Sequence, residues 1–315
     1  MADTSATAPR PDSGPDRTAR ASSALPAPRA VLELLKPITW FAPMWAFLCG
    51  AVSAGQPLSI DWALLALAGM VLAGPLVCAT SQAVNDWYDR EVDAINEPGR
   101  PIPSGRIPGR WGFNIAVIWT VLSLAAGAAL GVWVLVGTVV GLILAWAYSA
   151  PPFRLKRSGW TGPAAVALSY EGIAWFTGAA VVTGGLPGMP SIMLALLYSV
   201  GAWGIMTLND FKAVEGDSQL GIRSLPVVLG IRPAALLACA VMVVPQVVVV
   251  GLLFAWGAPV SASVIAALIA VQLTLMARLL EDPARWAPWY NATGTTLSVA
   301  GMMVAAAALA NTGIG

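Results

Sequence analysis

The sequence contains no histidine, only three cysteines and few charged residues, and each of these deficits narrows its chemistry. Without histidine it lacks the commonest general base and the commonest protein ligand of haem iron. Cys49, Cys78 and Cys239 fall in apolar runs without ligand-like spacing, so neither a disulfide framework nor a zinc site is expected. Catalysis by this chain would therefore rely on carboxylates, arginines, tyrosines and bound metal.

Charged residues make up 10% of the 315 residues and hydrophobic residues 57%, whereas charged residues alone make up about a quarter of a soluble domain. This composition predicts an all-α integral membrane protein. Nine apolar segments are long enough to span a bilayer, which takes about 20 residues each. They are residues 37–55, 63–84, 112–131, 132–149, 162–183, 191–209, 232–256, 259–279 and 292–311. The boundary between the third and fourth segments rests on Gly131.

Residues 1–30 are rich in Ala, Ser, Pro and Arg and are predicted to form a disordered cytoplasmic tail, because such a composition buries no core. No apolar stretch follows an early basic region, so a secretory signal is not expected, and scattered aspartates disfavour an organelle transit peptide. Residues 31–315 are predicted to be one transmembrane domain.

All 17 Lys and Arg residues fall on one side of the nine predicted spans, and the opposite loops carry a single charge, Asp61. Since basic loops stay in the cytoplasm, this asymmetry predicts a cytoplasmic N-terminus and a C-terminus on the opposite side of the membrane. The exception is Glu171, an acid in the middle of the fifth span. It is either a protonated glutamic acid bonded to a neighbouring helix or part of a pocket wall, and the sequence leaves both readings open.

The densest charge in the chain follows the second span. Asp86, Asp89 and Asp93 lie on one face of a helix and repel one another unless a cation lies between them. A second acidic motif follows the sixth span, where Asp210 and Asp217 repeat the seven-residue spacing of the first. The sequence therefore predicts two acidic stripes that face each other across a helix bundle.

Carboxylates without His or Cys nearby match the preference of Mg²⁺ for hard oxygen ligands. The basic residues near the two motifs suit phosphate oxygens; they are Arg100, Arg106, Arg154, Lys156, Arg157, Lys212 and Arg223. A diphosphate site at the mouth of an apolar bundle predicts an isoprenoid diphosphate substrate, whose C1–O bond ionises once the leaving charge is neutralised. Aromatic residues are candidates to stabilise the allylic cation: Trp87, Tyr88, Trp146, Tyr148, Tyr170, Trp175 and Phe176. For Tyr148 and the tryptophans a place in the interfacial aromatic belt is the alternative.

The runs at residues 85–106 and 210–217 resemble the two aspartate-rich motifs of the UbiA superfamily of intramembrane prenyltransferases. Residues 85–106, 148–152, 169–172 and 215–226 are similar to its chlorophyll and bacteriochlorophyll synthase branch. The resemblance implies nine transmembrane helices with the active site at their cytoplasmic end, in a bacterial inner or intracytoplasmic membrane. It also implies transfer of a geranylgeranyl or phytyl group from its diphosphate to the ring propionate of chlorophyllide or bacteriochlorophyllide.

By the same resemblance, Asp86, Asp89 and Asp93 would hold one Mg²⁺ ion, and Asp210 and Asp217 a second. From charge, position in the chain and this resemblance together, the predicted substrate-binding residues are Asn85, Arg100, Arg106, Tyr148, Arg154, Lys156, Glu171, Asn209, Lys212 and Arg223. The chain departs from the family at Ala213, where another Asp is frequent. Whether Glu215 or water completes the second metal site is left open.

A propionate acceptor suits a protein without histidine, since a carboxylate with an ordinary pKa of about 4 is already ionised near neutral pH. Two alternatives remain at this stage: a related prenyltransferase acting on a quinone precursor or haem, and a cation transporter. Membrane lipid and pigment-protein assembly factors are candidate partners, and a nucleic-acid partner is not expected.

Overall fold

A computed structural model describes residues 25–219 and 221–314. Most of the predicted tail, residues 1–24, lies outside this part of the chain, and the first helix begins at Pro28. The described residues form helices and contain no β-strand. The all-α prediction is confirmed.

Twelve helices follow one another along the described chain. They are α1 (Pro28–Leu35), α2 (Phe41–Ser53), α3 (Ile60–Asn96), α4 (Trp111–Leu130), α5 (Val132–Ser149), α6 (Thr161–Thr183), α7 (Met189–Lys212), α8 (Val214–Gln219), α9 (Leu225–Leu229), α10 (Ile231–Ala255), α11 (Pro259–Glu281) and α12 (Pro283–Thr312). Eight of these, all except α1, α2, α8 and α9, are long and apolar enough to cross a membrane.

The first predicted span, residues 37–55, is bent. The segments Pro28–Thr39 and Phe41–Ser53 meet at 56°, and the described residues contain nine candidate spans if this pair counts as one. Within the first segment, α1 ends at Leu35, Lys36 follows with a left-handed backbone of φ 48°, and Pro37 begins a 3₁₀ turn that ends at Thr39. A non-glycine residue with a left-handed backbone is strained, and such residues cluster at functional sites.

Two further boundaries bear on the function. Helix α3 continues past the predicted end at residue 84 to Asn96, so the first acidic motif lies on its last turns. Helices α4 and α5 separate at Gly131, as predicted, because its φ of 128° favours glycine. Helices α3 and α6 each contain a π-helical segment, at Leu72–Cys78 and Leu168–Ile173.

Helices α2 and α6 approach each other through two glycines. A Cβ atom on Gly50 of α2 would collide with the carbonyl of Trp175 in α6, and one on Gly178 of α6 would collide with the carbonyl of Phe47 in α2. Small residues allow such close backbone packing in membrane proteins. This contact fixes α6, and with it one wall of the interior described below.

Candidate functional site

A cavity of about 510 Å³ lies among the ends of α3, α5 and α7, the start of α6, and the loops that follow α5 and α7. Pockets for small molecules are typically about 300–1,000 Å³ in volume. The charged residues of its wall are Asp89, Asp93, Arg154, Lys156, Arg157, Asp210 and Asp217. The structure therefore brings both predicted acidic motifs to one cavity, where four carboxylates meet three cations.

Only two of the three aspartates of the first acidic motif line the cavity, and the third is buried in the protein. Asp89 and Asp93 line the cavity, whereas Asp86 does not and is only 2% exposed. Lys36 Nζ lies 2.6 Å and Arg100 Nη1 3.4 Å from Asp86 Oδ1. The other oxygen of Asp86, Oδ2, is buried and has no hydrogen-bond partner among the described residues.

Each carboxylate of the first motif has a cation of the protein beside it. Arg100 Nη1 donates to Asp93 at 2.9 Å, and Lys156 Nζ donates to Asp89 at 2.5 Å. Burial lowers the pKa of the Lys156 amine, and the bond to Asp89 opposes that shift. In the described chain no three acids converge closely enough to hold a metal ion. The predicted metal site is thus not preformed, because lysine and arginine side chains lie where the metal was expected.

The two aspartates of the second acidic motif have no basic side chain paired with them among the described residues. Asp210 lies on the 3₁₀ turn Leu208–Lys212 that ends α7, and Asp217 lies on α8. Neither forms an ion pair with another described residue. Asn209, also on the cavity wall, accepts a hydrogen bond from Asn291 Nδ2 at 3.3 Å. Glu215 is exposed and does not line the cavity, so the structure does not offer it as the missing acid.

The basic loop after α5 forms the third side of the cavity. Arg154 has a left-handed backbone, with φ 44°, and residues 155–157 form a 3₁₀ turn. Two backbone hydrogen bonds join this loop to the segment after α8: Gly159 N to Arg223 O at 2.8 Å and Arg223 N to Arg157 O at 3.0 Å. A Cβ on Gly159 would collide with the Leu225 backbone nitrogen, so glycine is needed for this close approach.

Several predicted binding residues do line the cavity and others do not. Those on its wall are Asn85, Tyr148, Arg154, Lys156 and Asn209. Arg157, named above only among the basic residues that suit phosphate oxygens, also lines it. So does Ser149, which accepts a hydrogen bond from Asn85 Nδ2 at 3.1 Å and was not predicted as a binding residue. Arg157 had a signal, its place in the basic run after the fourth span. No feature of the sequence pointed to Ser149, apart from its position next to Tyr148.

Five predicted binding residues do not line the cavity. Arg100 instead pairs with Asp86 and Asp93, and Arg106 forms a bidentate ion pair with Glu33 of α1. Lys212 and Arg223 are exposed, and Arg223 reaches the cavity loop only through its backbone. Glu171 is buried, lines neither the large cavity nor the inner cavities below, and its Oε2 has no hydrogen-bond partner in the described residues.

Two smaller cavities of about 30 Å³ each lie next to one another deeper in the bundle. The first inner cavity shares Tyr148 and Val166 with the large cavity. The second shares five lining residues with the first: Pro43, Ala73, Val77, Gly141 and Ser169. The three cavities thus form one line from a charged mouth into an apolar interior.

Three of the aromatic candidates belong to this line. Tyr88 and Tyr148 line the mouth, and Tyr170 lines the first inner cavity. Trp175 instead stacks on Tyr198 in the buried core, at 5.8 Å between ring centroids. The remaining candidates, Trp87, Trp146 and Phe176, line none of the three cavities.

A sequence profile described as the UbiA prenyltransferase family matches residues 42–299. Among curated relatives, the bacteriochlorophyll synthase 33 kDa chain of Cereibacter sphaeroides is 61% identical over 285 residues, which cover 90% of this chain and 94% of that protein. The chloroplastic chlorophyll synthase of Oryza sativa subsp. japonica is 38% identical over 288 residues, which cover 88% of this chain and 76% of that protein.

Solved structures give the same fold. A structure of digeranylgeranylglyceryl phosphate synthase matches with a TM-score of 0.72 at 23% identity, covering 89% of this chain and 98% of that one. A UbiA homologue from Archaeoglobus fulgidus bound to GPP and Mg²⁺ matches with a TM-score of 0.64 at 21% identity, covering 85% and 99%. The profile spans most of the sequence, and the chain is an integral membrane protein that belongs to the UbiA prenyltransferase family.

Proposed function

We propose that this chain transfers a geranylgeranyl or phytyl group from its diphosphate to the ring propionate of bacteriochlorophyllide or chlorophyllide. The observation that carries the proposal is the cavity where four carboxylates and three cations meet above an apolar interior. Bacteriochlorophyllide is the favoured acceptor, since the bacteriochlorophyll synthase chains are 48–61% identical to this chain and the chlorophyll synthases 36–38%.

The residues suit two Mg²⁺ ions by their donor chemistry, although the described carboxylates are not gathered closely enough to hold an ion in this structure. Carboxylate oxygens without nitrogen or sulfur ligands are the donor set that Mg²⁺ prefers, and the unpartnered, buried Oδ2 of Asp86 is an acceptor that lacks a donor. Asp86, Asp89 and Asp93 would hold one ion, and Asp210 with Asp217 the other. When bound, the ions neutralise the charge that develops on the leaving diphosphate.

The chain's own residues bind and orient the substrate. Arg154 and Arg157 line the cavity and form no ion pair with other described residues, so their guanidinium groups are free for diphosphate oxygens. The rings of Tyr88 and Tyr148 lie at the mouth, where an allylic cation would form. The prenyl tail follows the inner cavities into the bundle.

The reaction needs no general base. The C1–O bond of the prenyl diphosphate breaks, and the diphosphate leaves with the electron pair. A propionate oxygen of the acceptor forms the new bond to C1. Because the propionate is already ionised at neutral pH, no proton has to be removed, and a chain without histidine is competent for this chemistry.

The same proposal includes the topology. With the bent pair of α1 and α2 counted as one span, a nine-span chain would have its N-terminus and every basic loop on the cytoplasmic side and its C-terminus on the other, in agreement with the preference of basic loops for the cytoplasm. The cavity then faces the cytoplasm, from a bacterial inner or intracytoplasmic membrane.

Mass spectrometry of the lipid-soluble product tests the function. Purified protein in nanodiscs receives Mg²⁺, geranylgeranyl diphosphate and an equimolar mixture of bacteriochlorophyllide, chlorophyllide, a quinone precursor and haem. We expect the geranylgeranyl ester of bacteriochlorophyllide as the main product. A prenylated quinone precursor or haem, with neither pigment esterified, would overturn the acceptor assignment.

A further inference from the structure

The π-helical segments of α3 and α6 face each other across the inner cavities. Ala73 and Val77 from Leu72–Cys78, and Ser169 from Leu168–Ile173, line both of these cavities. π-Helical insertions are rare and recur at functional sites. Two of them on opposite walls of one space indicate that this interior has a function beyond packing.

The third wall is α5, and its residue Gly141 lies where the two inner cavities meet. It lines both of them. A Cβ atom there would lie 3.6 Å from Val77 Cγ1 and 3.8 Å from Ile173 Cγ2, which is ordinary contact. A methyl group at this position therefore fits without a backbone shift, yet it occupies the junction between the cavities.

The prenyl tail of the proposed function extends into the two inner cavities, together called the chamber, and we propose that Gly141 sets the tail length the enzyme accepts. This rests on the proposed function, because the chamber opens from the catalytic mouth at Tyr148 and Val166. Along α5, Gly141 lies about 10 Å and Gly137 about 16 Å below Tyr148. A geranyl tail ends near Gly141, whereas a geranylgeranyl tail, twice as long, passes it.

In this structure, side chains fill most of the chamber. Each inner cavity, at about 30 Å³, has room for little more than one water molecule. The tail enters by displacing side chains that fill the chamber, such as Val77 and Ile173, while the absent side chain of Gly141 leaves the passage open. Whether a tail is accepted then depends on whether its distal isoprene units can pass Gly141.

Gly141→Ala is compared with Gly201→Ala, a matched control. Gly201 is also a buried helical glycine, its Cβ would lie 3.8 Å from the nearest atom, Met242 O, and it lines none of the three cavities. The assay measures kcat/KM for geranyl, farnesyl and geranylgeranyl diphosphate with bacteriochlorophyllide. In Gly141→Ala we expect the geranylgeranyl-to-geranyl ratio of kcat/KM to fall about tenfold, the low end of what one methyl group decides in an apolar pocket.

In Gly201→Ala the ratio should equal that of the wild type. An unchanged ratio in Gly141→Ala, or an equal loss for all three tails, would overturn the proposal. Binding of non-hydrolysable geranyl and geranylgeranyl thiodiphosphates, measured by titration calorimetry, gives the same comparison without an acceptor. If the wild type forms no pigment ester but Gly141→Ala selectively loses the longer ligand, the acceptor assignment fails and the chamber stands. If both ligands bind Gly141→Ala as they bind the wild type, the chamber fails.

Discussion

Replacing Arg100 by glutamine removes the guanidinium that lies between two buried carboxylates of α3. Arg100 Nη1 is 3.4 Å from Asp86 Oδ1 and 2.9 Å from Asp93 Oδ2. A hydrogen bond to a charged group contributes about 1.5–3 kcal/mol. Because Lys36 still neutralises Asp86, we expect the metal-free variant to lose roughly 2 kcal/mol of stability. In a chain of this size that corresponds to a fall in Tm of roughly 4 °C.

Magnesium should reverse much of this loss. If the α3 carboxylates bind the ion, the guanidinium competes with it, and the variant should gain more Tm from Mg²⁺ than the wild type does. Thermal denaturation in detergent, followed by circular dichroism across a Mg²⁺ titration, measures both effects. Arg278→Gln is the control, since Arg278 stacks on Trp286 at 4.0 Å and lies outside the cavity wall. Equal Mg²⁺ shifts in Arg100→Gln and wild type would refute the view that Arg100 occupies the metal site.

Three other predictions use the same preparations. Asp210→Asn should lower kcat/KM for transfer by about a hundredfold or more with an unchanged helical spectrum, and excess chelator should stop the wild type until Mg²⁺ is restored; full activity in either case would contradict the metal assignment. Arg154→Gln should raise the KM for prenyl diphosphate about tenfold, the effect of one lost charge-assisted bond, whereas Arg106→Gln should leave it unchanged because Arg106 pairs with Glu33; similar shifts in both would count against the cavity. Gly50→Ala should cost roughly 2 kcal/mol by overpacking, while Gly251→Ala, with no atom within 4 Å of its Cβ, should denature like the wild type.

The sequence was sufficient for the features that depend on local pattern. Apolar length located the eight long helices, and Gly131 marked the break between α4 and α5. The aspartate spacing identified both acidic motifs, and the structure has Asp89, Asp93, Asp210 and Asp217 on the wall of one cavity. These predictions succeed because hydropathy and spacing are properties of contiguous residues.

Features that depend on long-range pairing could not be predicted. Arg106 is 73 positions from its partner Glu33, and Lys36 is 50 positions from Asp86, so no local pattern reveals either pair. The π-helical segment of α3 contains Pro75, a weak signal, but that of α6 contains no proline. The bend before α2 was not predicted either, and the left-handed backbone of Lys36 is a conformation that its residue type does not suggest.

The ion pairs of the first acidic motif stabilise the protein when no substrate is bound. Three carboxylates on one face of α3 would destabilise the end of that helix, and Lys36, Arg100 and Lys156 supply the opposing charge. Under the proposed function, Asp86, Asp89 and Asp93 would hold a metal ion, which would supply that opposing charge when substrate is bound. Of these three basic residues, Lys156 lies on the cavity wall, beside the space proposed for the diphosphate. Once its bond to Asp89 is released, the amine that stabilises the free protein would be available to bind the leaving group.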